Sequence, residues 1–284
     1  MSAKKEASNS RAIVLGGGGV TGIAWEIGIL AGLLEAGIDL QKADRIIGTS
    51  AGAFVGTALS AGYDMHQLFE QQSQSNAFEL SASASEALIG EWINAFSIGG
   101  SDPQRVGAAF GEIAKKNPEP VPVIERRSAV MARLVTTDWP ERLQVTAIEA
   151  DTGQLHVFDR SSGISLIDAV SASGAVPGLW PGVQMKGKLW IDGGMVSTTN
   201  ARLASGCERI IILAPMPDGH GLIPGAREDT AELSANAEVV LITPDEASIQ
   251  AIGPNRYDPE RKSAVAAAGK AQGKNIASAV QSMW

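Results

Sequence analysis

The sequence begins with two short apolar segments, each followed by a glycine-containing loop and a helical segment. Residues 12–15 form the first apolar run, residues 16–19 are all glycine, and residues 23–36 carry Leu and Ile at helical spacing. Residues 45–48 form the second run and residues 51–61 the second helical segment. This order of strand, helix, strand and helix predicts a parallel sheet with helices on its faces. Since such connections place consecutive strands side by side, the loops after both strands should lie at one edge of the sheet.

The rest of the chain continues the α/β pattern around one exception. Further strands are predicted at residues 143–150, 154–158, 188–191, 208–214 and 238–243, and helices at 164–173 and 260–283. The runs at 208–214 and 238–243 are almost continuously apolar, as in strands buried on both faces. Residues 64–133 are rich in Ala, Ser and Gln and predict helices, either as a cap over a site or as a layer on the sheet. We therefore predict a polar tail at residues 1–11 and one domain over 12–284 with a helical insertion at 64–133.

Composition excludes several classes of function. With 31 acidic and 23 basic residues the formal charge is −8, which disfavours binding to nucleic acid or to an anionic membrane through basic patches. The single cysteine, Cys207, rules out an internal disulfide and a cysteine-rich metal site, and we expect no metal or cofactor. The N-terminus lacks an apolar signal segment and no apolar run reaches 18 residues, so a cytoplasmic location is expected.

Residues 48–52, Gly-Thr-Ser-Ala-Gly, follow the second predicted strand and fit the pattern G-x-S-x-G. In this pattern the serine occupies a strained turn from strand to helix, where its hydroxyl is exposed at the edge of the sheet. The amides at the start of the following helix favour an anion. The pattern indicates that Ser50 is a nucleophile. The alternative is a glycine-rich turn in which Ser50 only caps the helix.

The glycine run after the first strand should lie near Ser50, because both loops are expected at the same edge of the sheet. The amides of Gly17, Gly18 and Gly19 are the best placed to stabilise an oxyanion during acyl transfer. The same run matches the dinucleotide pattern G-x-G-x-x-G at residues 17–22. That pattern requires an acidic residue at the end of the second strand, whereas Asp44 lies at its start. Nucleotide binding is therefore disfavoured.

The base that would activate Ser50 has two candidates. His220 follows Asp192 in the chain, which gives the order Ser, Asp, His of the α/β-hydrolases. In that fold, however, several strands precede the nucleophile, and here there is one. Asp192 ends a predicted strand and is followed by two glycines, although Asp-Gly is also a common turn. The residues alone leave both candidates open.

Four segments occur in a characteristic order, namely residues 17–22, 48–52, 172–177 and 192–194. Together they resemble the patatin-like phospholipase family, and the resemblance extends over about residues 12–214. It implies a three-layer α/β/α sandwich with a mostly parallel central sheet. It also implies a catalytic dyad of Ser50 and Asp192, an oxyanion hole formed by Gly17, Gly18 and Gly19, and no metal.

The resemblance further implies hydrolysis of lipid acyl esters through an acyl-Ser50 intermediate, with transient contact to a membrane or micelle. A carboxylate can act as base only in a dry pocket, for which Trp25, Leu179, Trp180 and the 64–133 segment could supply apolar walls. Thr21 stands where the family usually has Arg or Lys, so a neutral ester or lysophospholipid is as plausible a substrate as a diacyl phospholipid. The alternatives are a triad of Ser50, Asp192 and His220, and a non-catalytic lipid-binding protein.

Overall fold

The computed structural model describes residues 10–74, 78–116 and 120–284. Its strands are β1 (Arg11–Leu15), β2 (Arg45–Gly48), β3 (Leu143–Glu149), β4 (Leu155–Phe158), β5 (Val183–Met185), β6 (Lys188–Asp192), β7 (Arg209–Leu213) and β8 (Glu238–Ile242). They form one sheet in the order β5-β6-β3-β2-β1-β7-β8, and β4 also pairs with β3. Most of the predicted tail, residues 1–9, lies outside the described residues.

The centre of the sheet is parallel. Strands β3, β2, β1, β7 and β8 all run in the same direction, whereas β4 and β6 pair with β3 in the antiparallel sense. Strand β5 is antiparallel to β6. The pairing of Leu15 in β1 with Gly48 in β2 confirms that the two loops after these strands lie at one edge.

Helices cover the sheet and fill the segment between β2 and β3. They are α1 (Gly19–Glu35), α2 (Ala51–Ser60), α3 (Met65–Glu70), α4 (Glu86–Gly99), α5 (Pro103–Lys116), α6 (Val123–Arg133), α7 (Leu166–Ser173), α8 (Ala226–Leu233), α9 (Glu246–Ile252), α10 (Lys262–Asn275) and α11 (Ala277–Gln281). None of the helices within the described ranges combines the length and hydropathy needed to cross a bilayer.

Alternating side chains of β1 pack against helices on opposite faces of the sheet. Ile13 and Leu15 pack with residues of α1, α2 and α10 on one face, and Ala12 and Val14 pack with residues of α8 on the other. The burial of a side chain as large as Val, Leu or Ile, such as Ile13, Val14 or Leu15, stabilises the fold by roughly 1.5–3 kcal/mol. Both faces of the central sheet are therefore covered, and the predicted three-layer α/β/α fold is confirmed.

The structure corrects some details of the sequence interpretation. Strand β7 is buried as predicted, but Val239, Val240 and Leu241 of β8 are only half-buried. The reason is position, since β7 lies between β1 and β8 whereas β8 has a strand on one side only. Strand β5 was not predicted, because three residues carry no periodic signal. Helix α1 begins at Gly19 rather than at residue 23, because the glycine run itself enters the helix.

The described part of the segment between β2 and β3 contains helices α2 to α6 and the loops that join them. Phe110 and Ile113 of α5 pack against Ile148 of β3 and Ile191 of β6, so this helix is a layer on the sheet. Helix α4 packs on α5 and lines the cavity above the sheet edge. The segment therefore contributes both a layer and part of the site's cover.

Candidate functional site

Ser50 lies in a sharp turn between β2 and α2. Its φ of 53° and ψ of −113° place it in a region that residues other than glycine rarely adopt. The Ser50 N–H donates to Oγ of the buried Ser173 at 2.8 Å, which holds the strained turn. A Cβ at Gly52 would lie 2.0 Å from the Leu15 carbonyl oxygen, so only glycine fits the close approach of α2 to β1. This is the geometry expected of a nucleophile turn.

Asp192 lies at the end of β6, beside Ser50. Its carboxyl oxygen accepts the Gly194 N–H at 2.7 Å, and the Ser50 side chain lies close enough to act on the pKa of the carboxyl. The Asp192 side chain is almost fully buried. Burial raises the pKa of Asp192 to about 7, although the neighbouring Ser50 hydroxyl, the Gly194 N–H and the charge of Arg126 act in the opposite direction. The structure therefore brings Ser50 together with a carboxyl group that exchanges its proton near neutral pH.

A buried polar network supports the turn and the loop after Asp192. Thr49 and Thr146 share a hydrogen bond of 2.9 Å between their Oγ1 atoms. The Asn200 side-chain amide donates to Thr49 Oγ1 at 3.0 Å and to the Gly193 carbonyl at 3.1 Å. The network joins β2, β3 and the loop after β6, and such satisfied networks make a buried site rigid. No motif in the sequence indicates this network, because its members come from three separate segments of the chain.

The three glycines expected to form the oxyanion hole differ in their hydrogen bonding. The Gly17 N–H already donates to the Thr198 carbonyl at 2.7 Å. The amides of Gly18 and Gly19 have no acceptor among the described residues, and they stand at the start of α1. Gly19 has a φ of 64°, and a Cβ there would lie 2.6 Å from the Arg256 carbonyl oxygen. Two of the three amides are therefore free to donate to a ligand.

His220 lines the same cavity as Ser50 and Asp192. Its ring packs against Phe96, with ring centroids 5.2 Å apart. Burial, together with the charge of Arg256, lowers the pKa of His220 below its usual value, and Asp218 opposes this. Within the described residues, no hydrogen bond joins the His220 ring to Ser50 or Asp192. The three members of the alternative triad thus line one cavity, but the described residues show no hydrogen bond that would link Ser50 to Asp192 through His220.

An apolar cavity of about 750 Å³ opens above Ser50 and Asp192. One wall is the face of α4 that carries Ile89, Trp92, Ile93 and Phe96. The Trp92 indole donates to the Pro177 carbonyl at 2.9 Å, which ties α4 to the turn after α7. The cavity is also lined by the following residues: Gly17, Gly18, Gly19, Ser97, Gly100, Phe110, Val176, Gly194, Met195, Thr198, Met216, His220, Gly221, Leu222 and Tyr257.

The apolar walls differ from those expected at three positions, one of which is Leu179, a buried residue that does not line the cavity. Trp25 lies in the core beneath α10, with its indole bonded to Gln272 Oε1 at 3.0 Å, and it does not line the cavity. Trp180 lines a smaller cavity that also contacts Ser50. The 64–133 segment does supply a wall, through α4. Among the described residues, no group of three or more His, Cys, Asp or Glu side chains could hold a metal ion.

Comparison with known protein families gives one decisive match. A sequence model of the family described as patatin-like phospholipase matches residues 13–205, which is more than half of the chain. The chain belongs to the patatin-like phospholipase family. Patatin-like phospholipases are lipid acyl hydrolases, and membership supports this general chemistry. A comparison with curated proteins gave no match.

Solved structures of other patatin-like proteins resemble this one at low identity. VipD from Legionella pneumophila is 13% identical, with a TM-score of 0.49 over 95% of this chain and 67% of VipD. The type III effector ExoU is 16% identical, with a TM-score of 0.43 over 95% of this chain and 53% of ExoU. ExoU in complex with SpcU, from Pseudomonas aeruginosa, is 16% identical, with a TM-score of 0.44 over 97% of this chain and 53% of that ExoU chain. This chain spans about half the length of the two ExoU chains.

The patatin-like segment does not contain every residue at the site. All five predicted site residues lie within residues 13–205, whereas Tyr257 and His220 lie beyond it. Sequence reasoning missed Tyr257 and also missed Arg126, a buried cation on α6 that lines the smaller cavity. Neither belongs to a recognisable motif, so only the packing of distant segments identifies them.

Proposed function

We propose that this patatin-like chain is a serine esterase that cleaves acyl esters of lipids through Ser50 and Asp192. The observation that carries this proposal is the buried Asp192 carboxyl next to Ser50, where both residues line an apolar cavity of about 750 Å³. Cavities of about 300–1,000 Å³ with apolar walls and a few polar groups are typical of ligand sites. Here the polar groups are those that acyl transfer requires.

The first half of the reaction forms an acyl-enzyme. Ser50 Oγ attacks the ester carbonyl carbon while the Asp192 carboxylate accepts the hydroxyl proton. The amides of Gly18 and Gly19 donate to the oxyanion that develops on the former carbonyl oxygen. Collapse of this intermediate breaks the bond to the alcohol, which takes the proton from Asp192 and leaves. The acyl group remains on Ser50.

The second half returns the enzyme to its starting state. Asp192 accepts a proton from a water molecule, whose oxygen attacks the acyl carbon. The same amides stabilise the second oxyanion, and Asp192 returns the proton to Ser50 Oγ as the fatty acid departs. A carboxyl whose pKa lies near 7 is well matched to accepting and returning protons at neutral pH. Gly17 supports the loop through its bond to Thr198 rather than through donation to the substrate.

The mouth of the apolar cavity suits a substrate held in a membrane or micelle. Ile93 is 64% exposed and Leu222 is 70% exposed, and both line this cavity. Exposed apolar side chains at the opening of an apolar cavity can contact the acyl region of a lipid surface without any membrane-spanning element. We propose transient peripheral contact at this mouth, with the acyl chain passing directly into the cavity.

Labelling by a fluorophosphonate tests the proposed nucleophile. The wild-type protein should gain the mass of the probe on the peptide containing Ser50 and should hydrolyse p-nitrophenyl butyrate. Ser50→Ala should lose labelling and lower kcat by about a thousandfold or more. Ser60→Ala is the matched control, because Ser60 is the last residue of the helix that Ser50 precedes and is equally buried. Lipid binding by a folded wild-type protein that is never labelled would instead favour a non-catalytic lipid-binding protein.

A further inference from the structure

Arg126, on α6, is a buried cation that forms no salt bridge among the described residues. It is 9% exposed. Its Nη2 donates to the Gly174 carbonyl at 3.3 Å, and its guanidinium lies over the Trp180 ring at 4.3 Å from the centroid. Its Nε is buried with no hydrogen-bond partner. No carboxylate in the described part of the chain forms an ion pair with it.

Arg127, the next residue on the same helix, differs from Arg126 in both its pairing and its exposure. Arg127 is ion-paired with Asp168, and its side chain is 43% exposed. A charge removed from water is costly unless it is paired, and neither one carbonyl nor one aromatic ring neutralises Arg126. A free donor and an unneutralised charge in a buried position fit an anionic ligand, since the guanidinium matches phosphate geometry.

Arg126 faces a small cavity that reaches the nucleophile. This cavity, of about 30 Å³, is lined by Arg126, Arg133 and Trp180, and also by Ser50 and Gly19. It has Gly19, Ser50, Val176 and Tyr257 in common with the apolar cavity, so the two meet at Ser50. A group bound at Arg126 would therefore lie next to an ester positioned for attack by Ser50.

The small cavity adjoins a larger polar one. A cavity of about 380 Å³ has Arg133, Phe54, Val20 and Ile23 in common with it and is also lined by glutamines and by Lys262. Glu79 pairs with Lys262 at 2.6 Å and lies 3.8 Å from Arg133. The described lining of the two cavities thus has three cations, including Arg126, and one carboxylate. The apolar cavity, by contrast, has Asp192 as its one carboxylate among the described residues.

We propose that Arg126, assisted by Arg133, binds the phosphate group of a phosphate-bearing acyl ester while the acyl chain occupies the apolar cavity. This inference rests on the proposed esterase function and assigns a residue that selects among its substrates. The glycine loop itself offers no cation, because Thr21 is neutral and fully buried. Helix α6 supplies the positive charge from a different part of the chain.

A pair of substrates with the same acyl chain tests the subsite. The kcat/KM for 1-palmitoyl-glycerol 3-phosphate, divided by that for 1-palmitoyl-glycerol, measures the preference for phosphate. Arg126→Gln should lower this ratio by about tenfold or more, as expected for the loss of charge-assisted hydrogen bonds. Arg126→Lys should retain part of the preference. Arg127→Gln is the matched control and should leave the ratio within about twofold, since Arg127 is paired at the surface.

The ratio of the two kcat/KM values distinguishes phosphate binding by Arg126 from an effect of Arg126 on Asp192 or on folding. A loss shared equally by both substrates would mean that Arg126 acts only on Asp192 or on folding, and would overturn the subsite. Thermal melting of each variant checks the fold. If the wild-type protein is neither labelled by fluorophosphonate nor active on the neutral ester, the proposed function fails, and the subsite is then judged by binding alone.

Binding can be measured without turnover in Ser50→Ala. Isothermal titration should show that Ser50→Ala binds 1-palmitoyl-glycerol 3-phosphate. When Arg126→Gln is added to Ser50→Ala, the affinity should fall by about tenfold or more. Glycerol 3-phosphate and inorganic phosphate distinguish the sources of the anion. Both should bind more weakly than the lipid, because neither fills the apolar cavity. Inorganic phosphate that binds as tightly as the lipid would overturn a lipid subsite in favour of a free-phosphate site, and equal binding with and without Arg126 would overturn both.

Discussion

The cavity lined by α4 and the cavity lined by α6 meet at Ser50, but they have opposite characters. The α4 side presents Ile89, Trp92, Ile93 and Phe96 to a space of about 750 Å³. The α6 side presents Arg126 and Arg133 to a space of about 30 Å³ that adjoins a larger polar cavity. Both helices belong to the segment between β2 and β3. The sheet edge thus holds Ser50 and Asp192, which we propose as the reacting groups, and helices of one segment line the space on each side of them.

The two sides also act in opposite directions on Asp192. Burial raises the pKa of this carboxyl, whereas the charge of Arg126 lowers it, and the result lies at about 7. A fully apolar surround would keep the carboxyl protonated at neutral pH, when it could not accept the Ser50 proton. A strongly cationic surround would make it too weak a base. The contrast between the cavities is therefore part of how a carboxylate can serve as base.

The pH dependence of activity should show this balance, and among the tests of the contrast between the two cavities it is expected to give the largest effect. Asp192 must be ionised to accept a proton, so kcat/KM should rise with pH through about 7 and then level off. At pH 5 it should be about 100-fold below the plateau, because the group is then two pH units below its pKa. Fatty acid released from a short-chain ester can be quantified between pH 5 and 9.

Arg126→Gln sharpens the same measurement. Loss of a neighbouring positive charge disfavours the ionised carboxyl, so the midpoint should move to higher pH. Arg127→Gln should leave the midpoint where it is in the wild-type protein. A midpoint near pH 4 in the kcat/KM profile of the wild-type protein would contradict the proposal that burial and the charge of Arg126 act in opposite directions on Asp192. A midpoint that Arg126→Gln does not move would contradict it as well.

A charge introduced at the mouth of the apolar cavity should lower the rate on membrane-held substrates more than the rate on dissolved ones. This effect should be smaller than that of pH. Ile93→Glu places a carboxylate where we propose contact with lipid, and burying it against acyl chains is costly. The rate on phospholipid vesicles relative to that on dissolved p-nitrophenyl butyrate should fall by about tenfold. Ile249→Glu is the control, because Ile249 is 61% exposed and does not line the cavity. A ratio that falls equally in both variants would argue against contact at this mouth.

The sequence predicts the parts of the molecule that depend on local patterns. The opening order of strand, helix, strand and helix identifies the α/β class, and the confirmed neighbours β1 and β2 follow from it. The strained turn at Ser50 follows from two glycines at fixed spacing between a strand and a helix. The sequence could not choose between Asp192 and His220 without the family resemblance, because each is a short polar motif after a predicted strand.

Features assembled from distant segments could not be predicted. Arg126 and Ser50 are brought together by the packing of α6 against α7, and nothing in the residues around Arg126 distinguishes it from the paired Arg127. The bond from the Gly17 amide to Thr198 likewise depends on a loop far along the chain, so the sequence could not distinguish Gly17 from Gly18 and Gly19 as donors. The half-buried β8 reflects its position in the strand order, which an apolar run does not encode.

The most direct test of the proposed dyad compares Asp192→Asn with His220→Ala. Asparagine keeps the size of the side chain and an oxygen that can accept the Gly194 N–H, but it cannot take the Ser50 proton. With folding verified by thermal melting, Asp192→Asn should lower kcat on p-nitrophenyl butyrate by about a thousandfold or more. His220→Ala should lower it by no more than about tenfold. Asp192→Asn within about tenfold of the wild type, or His220→Ala as inactive as Asp192→Asn, would contradict Asp192 as the base of Ser50.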